Sequence, residues 1–460
     1  MNDRVGSTRE LPATPAISFA EAFRFWLKLG FISFGGPAGQ IAIMHQELVT
    51  RRRWISDGRF LHALNYCMLL PGPEAQQLAT YIGWLLHGTR GGLAAGGLFV
   101  LPSLLLLIAL AWIYVTFGHI AWVAGILNGM KPAVVAIVAF AGYRLGSRTL
   151  KNATLWMIAL LAFTSLAWLR VPFPIVVIGA GVIGIVGGHL SPRTFHASSH
   201  GAAKNRESLT AVIDDATPTP AHALFRWSRT LVFVAVGVAL WIAIEGSLIK
   251  TFGWHHTFSQ MGWFFSKAAM VTFGGAYAVL PYVQQAAVEQ YQWLSTPQMI
   301  DGLALGETTP GPLIMIVAFV GFLGGWNQAG VEPGWLAFAG IIGASVATFF
   351  TFLPSFLFIL IGGPAVEATR DDVKFVAPLT AISAAVTGVI LNLALYFAYH
   401  VFWPRGVSMP LTFEGLWHAV DAISVLISGV GLLALIRFKV GVIPVILTAG
   451  ALGLLRALLG

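Results

Sequence analysis

Leu70-Pro71-Gly72-Pro73-Glu74-Ala75-Gln76-Gln77 interrupts one long apolar stretch, and Thr309-Pro310-Gly311-Pro312-Leu313 interrupts another. Glycine permits the sharp backbone turn, and proline suits the first position of a new helix. Each stretch therefore reads as a helix that stops and restarts inside an apolar segment. A second pair has the same character: Ser33-Phe34-Gly35-Gly36-Pro37 and Thr272-Phe273-Gly274-Gly275-Ala276. Phe34 precedes Phe273 by 239 positions, and the same ungapped offset carries Gly72 onto Gly311. It also matches Phe25 with Phe264, Lys28 with Lys267, Gln46 with Gln285, Trp54 with Trp293 and Ser56 with Ser295. After a short insertion, Leu101-Pro102-Ser103 recurs as Leu353-Pro354-Ser355. Repeats of this kind build many secondary transporters, with the substrate site at the repeat interface.

The composition agrees. Of 460 residues, 57% are apolar and 10% charged, against about 25% charged in a soluble globular chain. Apolar segments run at roughly 18–45, 60–86, 92–117, 122–146, 153–169, 171–189, 229–250, 258–284, 298–325, 335–362, 376–402, 414–436 and 440–459. Stretches of about 20 residues fit helices across a hydrocarbon core of about 30 Å, and no alternating strand pattern of a β-barrel is present. The expected fold is an all-α polytopic integral membrane protein of about 10–13 apolar segments. It divides into a cytoplasmic tail (1–17) without a cleavable leader, a first repeat (18–189), a hydrophilic cytoplasmic linker (190–228) and a second repeat (229–460). The single Cys67 excludes a disulfide framework.

Loop charge orients the chain. Arg51, Arg52, Arg53 and Arg59 follow the first segment, whereas the matching loop from Glu289 to Gln298 has neither Lys nor Arg. By the positive-inside rule the two halves face opposite ways. The clusters Arg144/Arg148/Lys151, the linker, Arg370/Lys374 and Arg437/Lys439 share the cytoplasmic side only if both motif-bearing segments dip in and return. Two inverted-topology repeats, each with broken, re-entrant helical hairpins, meet that condition.

A helix that starts inside the membrane presents unpaired N–H groups and a positive dipole end, which is an anion site. Ser33, Gly35, Gly36, Gly72, Thr272, Gly274, Gly275 and Gly311 are the expected substrate-binding positions, with neutral hydrogen bonds from Gln76, Gln77, Thr308 and Thr309. Lys28 and Lys267 are equivalent basic residues within apolar segments. Either they balance a dianion, or each snorkels to an interface. Glu74 and Glu307, beside the two Pro-Gly-Pro turns, are candidates to carry protons. The plainer reading of Glu74 is a first-turn glutamate that satisfies its own helix dipole. Asp301 and His62 occupy equivalent positions near a boundary and are weaker candidates. His196 and His200 have a metal-like spacing with no further ligand in view, so no metal site is expected. Cofactors are not expected either, and no phosphate-binding loop supports ATP hydrolysis.

Phe31–Pro37, Leu70–Gly83, Met270–Tyr277 and Glu307–Met315 together resemble the chromate ion transporter family, in its long-chain, two-domain type. The resemblance covers nearly the whole chain outside the tail and linker. It implies a carrier, not an enzyme, that exports chromate across the bacterial inner membrane on the membrane potential or a proton gradient and so confers chromate resistance. Its partners would be chromate, protons and the lipid bilayer, with no nucleic acid. The residues themselves reach only a secondary transporter with helix-end anion sites, and sulfate has the charge and shape of chromate. An ion channel or a chromate reductase are readings of another class. The reductase lacks any flavin, haem or nicotinamide fingerprint.

Overall fold

A computed structural model describes residues 17–190, 195, 211–215, 217–368, 376–406 and 419–459. The first repeat contains α1 (Phe19–Ile32), α2 (Gly36–His45), α3 (Asp57–Leu69), α4 (Glu74–Phe117), α5 (Ala121–Thr149), α6 (Ala153–Ala167) and α7 (Phe173–Leu190). After the linker come α8 (Trp227–Phe252), α9 (Thr257–Met270), α10 (Ala276–Gln284), α11 (Thr296–Thr308), α12 (Ile316–Gln328), α13 (Leu336–Ala368), α14 (Val376–Phe402), α15 (Ala422–Arg437) and α16 (Val442–Leu459). Seven helices are long and apolar enough to cross a membrane, and no strand occurs among the described residues. The chain is a multi-pass, all-α membrane protein.

The matched positions of the repeats adopt matched local structure. Ser56 caps α3 by accepting from Arg59 N at 3.2 Å, and Ser295 caps α11 in a capping box with Gln298. A π-helical turn begins at Gln46 and again at Gln285. Arg53 and Gln292 share the left-handed conformation, both with φ of 53°. His87 and Gly88 leave helical geometry and divide α4 into a short half-helix, Glu74–Leu86, and a long crossing part.

Contacts within the first repeat establish that its hairpins return to the side they entered. The rings of Phe25 and Trp54 lie 4.9 Å apart, and the Arg52 guanidinium lies over both, at 4.9 and 5.2 Å. The end of the second half-helix thus comes back beside the start of α1. His87 lies 5.6 Å from Phe19, so the half-helix of α4 also returns to that side. In the second repeat the equivalent rings, Phe264 and Trp293, lie 5.8 Å apart. Thr257 Oγ1 donates to Gln328 O at 3.1 Å, closing that hairpin pair. The remainder of α4, then α5, α7 and α8, are long and apolar enough to cross, and α6 between them is a shorter apolar helix. Counted with them, α6 makes five crossings, which brings the second pair of hairpins in from the opposite face. The repeats are inverted.

Small residues set the close packing of the crossing helices, as is usual where lipid offers no hydrophobic drive. A Cβ on Gly129 would meet the Cα of Gly453 at 2.6 Å, locking α5 to α16. One on Gly184 would meet the Pro378 Cα at 2.6 Å, locking α7 to α14. Large apolar side chains such as Trp156, Leu160, Ile178 and Leu231 are exposed on the outer faces, as lipid-facing residues should be.

The segment that composition marks as a solvated linker is packed against the first repeat at residues 211–215 and 217–224. Ile213 forms a parallel bridge with Ile55, and Ala211, Ile213 and Ala223 are buried. Composition misses this because much of the docking is carried by backbone groups: Val212 and Ile213 N–H donate to Arg53 O and Trp54 O, and Ser56 N–H donates to Ile213 O. His196 and His200, the charges of Arg370 and Lys374, and the tail through residue 16 lie outside the described residues.

Candidate functional site

The four motif turns meet in two bonded pairs between the repeats. Gly72 N–H donates to Thr272 O at 2.7 Å, and Gly311 N–H donates to Ser33 O at 2.8 Å. These contacts are exchanged by the repeat offset, so they mark a pseudo-two-fold axis through the centre of the molecule. All four glycine turns need the conformations that glycine provides. Gly72 and Gly311 have φ of 124° and 103°, Gly35 and Gly36 of 88° and 68°, and Gly274 and Gly275 of 81° and 95°. The crossing corrects one expectation: in this conformation the Gly72 and Gly311 N–H groups are paired with the opposite repeat. The unpaired donors are the first N–H groups of the helices that follow.

A side chain at either Pro-Gly-Pro glycine would strike a serine from the other repeat. A Cβ on Gly72 would meet Ser355 Oγ at 2.5 Å, and one on Gly311 would meet Ser103 Cβ at 2.7 Å. Ser103 and Ser355 are both 1% exposed, and neither hydroxyl has a partner among the described residues. Gln76 donates to Thr80 Oγ1 at 3.0 Å and Gln77 to Pro71 O at 2.8 Å, while the carbonyl oxygen of each amide is unpartnered. Gln40 Nε2 donates to Ser33 O at 3.3 Å and to Gly311 O, bridging one crossed pair. Buried hydroxyls and amides at a pair of helix starts suit a tetrahedral oxyanion, whose oxygens accept several such bonds.

Sequence reasoning missed Ser103, Ser355 and Gln40. The recurring Leu-Pro-Ser pointed to the serines. Gln40 gave no such signal, because its repeat mate is Val279.

The other expected residues divide. Ser33 and Thr272 are fully buried, but their hydroxyls donate to Leu29 O and Ala268 O of their own helices. What they give the site is their carbonyls. The Gly35 and Gly274 backbones are exposed, and a Cβ on Gly36 or Gly275 would meet nothing within 4 Å. Thr308 and Thr309 donate to Leu305 O and Gly306 O, each capping its own helix. Glu74 is half-buried, as is Glu307, which accepts from Tyr277 Oη. The lysine pair is not brought into the buried cluster. Lys28 and Lys267 are exposed, and Lys267 lies 5.6 Å over the Trp263 ring. Their neighbours Phe25, Trp26 and Leu29, and Phe264, Phe265 and Ala268, hold the buried faces. None of the motif residues lines the cavities of about 700 and 590 Å³.

The sequence profile of the family described as "Chromate transporter" matches residues 20–185 and 259–454, one region in each repeat. A "Chromate transport protein" of Pseudomonas aeruginosa is 31% identical over 442 residues, 95% of this chain and 92% of the relative. Another of that name, from Cupriavidus metallidurans, is 30% identical over 392 residues, 84% of each chain. A "Probable chromate transport protein" of Synechococcus elongatus is 26% identical over 378 residues, 82% of this chain and 84% of its own. No solved structure gives a significant match.

Proposed function

The chain belongs to the chromate transporter family, and from that premise we propose that it carries chromate out of the cytoplasm across the bacterial inner membrane and so confers chromate resistance. The observation that carries the reading is the exchanged pair of bonds, Gly72 to Thr272 and Gly311 to Ser33, flanked by the unpartnered hydroxyls of Ser355 and Ser103. Separation of the crossed turns frees the two glycine N–H groups. With Gly35, Gly36, Gly274, Gly275 and the adjoining helix starts, they can then surround a tetrahedral dianion with donors. Ser33, Thr272, Gln76, Gln77, Thr308 and Thr309 hold those turns in place. Lys28 and Lys267 attract the anion from exposed positions without touching it at the buried site. The linker and the N-terminus lie in the cytoplasm, as the basic loops require.

Moving one charge across 100 mV is worth about 2.3 kcal/mol, so a dianion leaving an inside-negative cell gains about twice that. Potential alone suffices for efflux, and proton antiport through Glu74 or Glu307 adds to the drive. The deciding experiment is uptake of radiolabelled chromate into energised everted vesicles, with and without excess sulfate. Saturable uptake that collapses with an uncoupler is expected. Uptake of sulfate but not chromate would keep the oxyanion site and discard chromate as its substrate. Glu74→Gln should remove the dependence of uptake on an imposed pH gradient. A variant with full dependence would move the role to Glu307 or elsewhere.

A further inference from the structure

Two buried polar clusters lie away from the motif turns, one towards each face. On the linker side Arg59 of α3 pairs with Glu367 of α13 at 2.5 Å, the two side chains being 3% and 1% exposed. Tyr81 Oη donates to the other carboxylate oxygen at 2.5 Å. The remaining guanidinium nitrogens donate to Asp214 O at 3.3 Å and Thr217 O at 2.7 Å, both on the docked linker. All three Arg59 nitrogens and both Glu367 oxygens are thus engaged. On the opposite side Asp301 of α11 accepts from Tyr114 Oη of α4 at 3.0 Å and lies 3.7 Å from Lys131 Nζ of α5. Its second oxygen has no partner among the described residues. Lys131 donates to Asn128 Oδ1 at 2.8 Å and, with Pro297 and Ile300, lines the cavity of about 700 Å³.

The clusters occupy corresponding places. The half-helices α3 and α11 are matched by the repeat, as are the crossing part of α4 and α13. Arg59 to Glu367 joins α3 to α13, and Tyr114 to Asp301 joins α4 to α11. Each join ties the base of a Pro-Gly-Pro hairpin in one repeat to a long helix of the other, and the two lie at opposite faces. A hairpin cannot swing away from that helix without breaking its cluster, and a buried charge stripped of its partner is costly.

Taking the chain as an alternating-access carrier, as proposed above, we infer that these clusters are its two gates. The Arg59–Glu367–Tyr81 cluster closes the linker side, and the Asp301–Tyr114–Lys131 cluster closes the far side. In this conformation the first is complete and strapped by the linker, while the second is only partly engaged beside an open cavity.

Cys67, the one cysteine of the chain, is fully buried on α3, about two turns beyond Arg59, and reports opening of the linker-side gate. The test is its rate of labelling by a water-soluble maleimide in the purified full-length chain, with no substrate or gradient. Glu367→Gln should raise the rate about tenfold, the effect of losing one strong buried polar contact. Asp301→Asn should lower it, because weakening the far gate favours the state closed on the linker side. Tyr81→Phe and Tyr114→Phe, milder changes that keep the charges, should give the same opposed shifts at smaller amplitude. Rates that do not change, or that move in the same direction in both sets of variants, would overturn the gate assignment. Because labelling needs no anion, the outcome is independent of whether chromate is the substrate.

Discussion

At the scale of single residues, two classes of glycine do different work. Gly72 and Gly311 combine a left-handed backbone with a neighbour against the missing side chain, Ser355 Oγ at 2.5 Å and Ser103 Cβ at 2.7 Å. Alanine at either position should cost about 1–3 kcal/mol for the conformation alone, and the clash adds to it. The expected outcome is a lowered unfolding midpoint together with weakened apparent affinity in vesicle uptake. Unchanged affinity would remove these turns from the substrate site. Gly36 is different: φ is 68°, yet a side chain there meets nothing. Gly36→Val should abolish transport while Gly36→Asn keeps part of it, since asparagine tolerates that conformation and a β-branched residue does not. Equal loss in both variants would mean that bulk, not backbone shape, is excluded. The lysine pair marks a limit of sequence reading at this scale. The repeat makes Lys28 and Lys267 equivalent, but equivalence does not say which face a residue occupies. Helical phase does: Lys28 falls one turn from exposed Arg24 and out of step with buried Trp26 and Leu29.

At the scale of elements, the re-entrant hairpins were legible because three independent signals agreed. They were helix-breaking turns inside apolar segments, an ungapped repeat, and basic loops that share one side only if the hairpins return. The ring contacts of Phe25 with Trp54 and of Phe264 with Trp293 supply the closure itself. Local propensity could not show that Gly72 and Gly311 bond across the molecule, because the partner of each lies 200 residues or more away. The docking of residues 211–215 and 217–224 was likewise hidden in a polar composition. The inverted arrangement makes a direct prediction. Cysteines placed at Arg53 and Gln292, matched positions with the same left-handed turn, should react with an impermeant maleimide from opposite faces of the membrane. Labelling of both from one face would mean parallel repeats.

For the whole molecule, the exchanged bonds make each repeat a partner the other cannot do without. Neither set of turns is fully hydrogen-bonded alone, and an unpaired backbone group away from water costs several kcal/mol. The two halves expressed as separate chains should each accumulate poorly, and together should restore uptake; stable accumulation of one half alone would contradict this mutual dependence. A living cell meets the same dependence as a matter of time. Thr272 follows Gly72 by 200 residues, and a ribosome adding roughly 5–20 residues per second needs roughly 10–40 s to bridge them. For that interval the first half sits in the bilayer with its central turns unpaired. It must be sheltered by the insertion machinery or by retained water until the second half arrives, so slowed elongation between the halves would raise the fraction of chains lost to degradation.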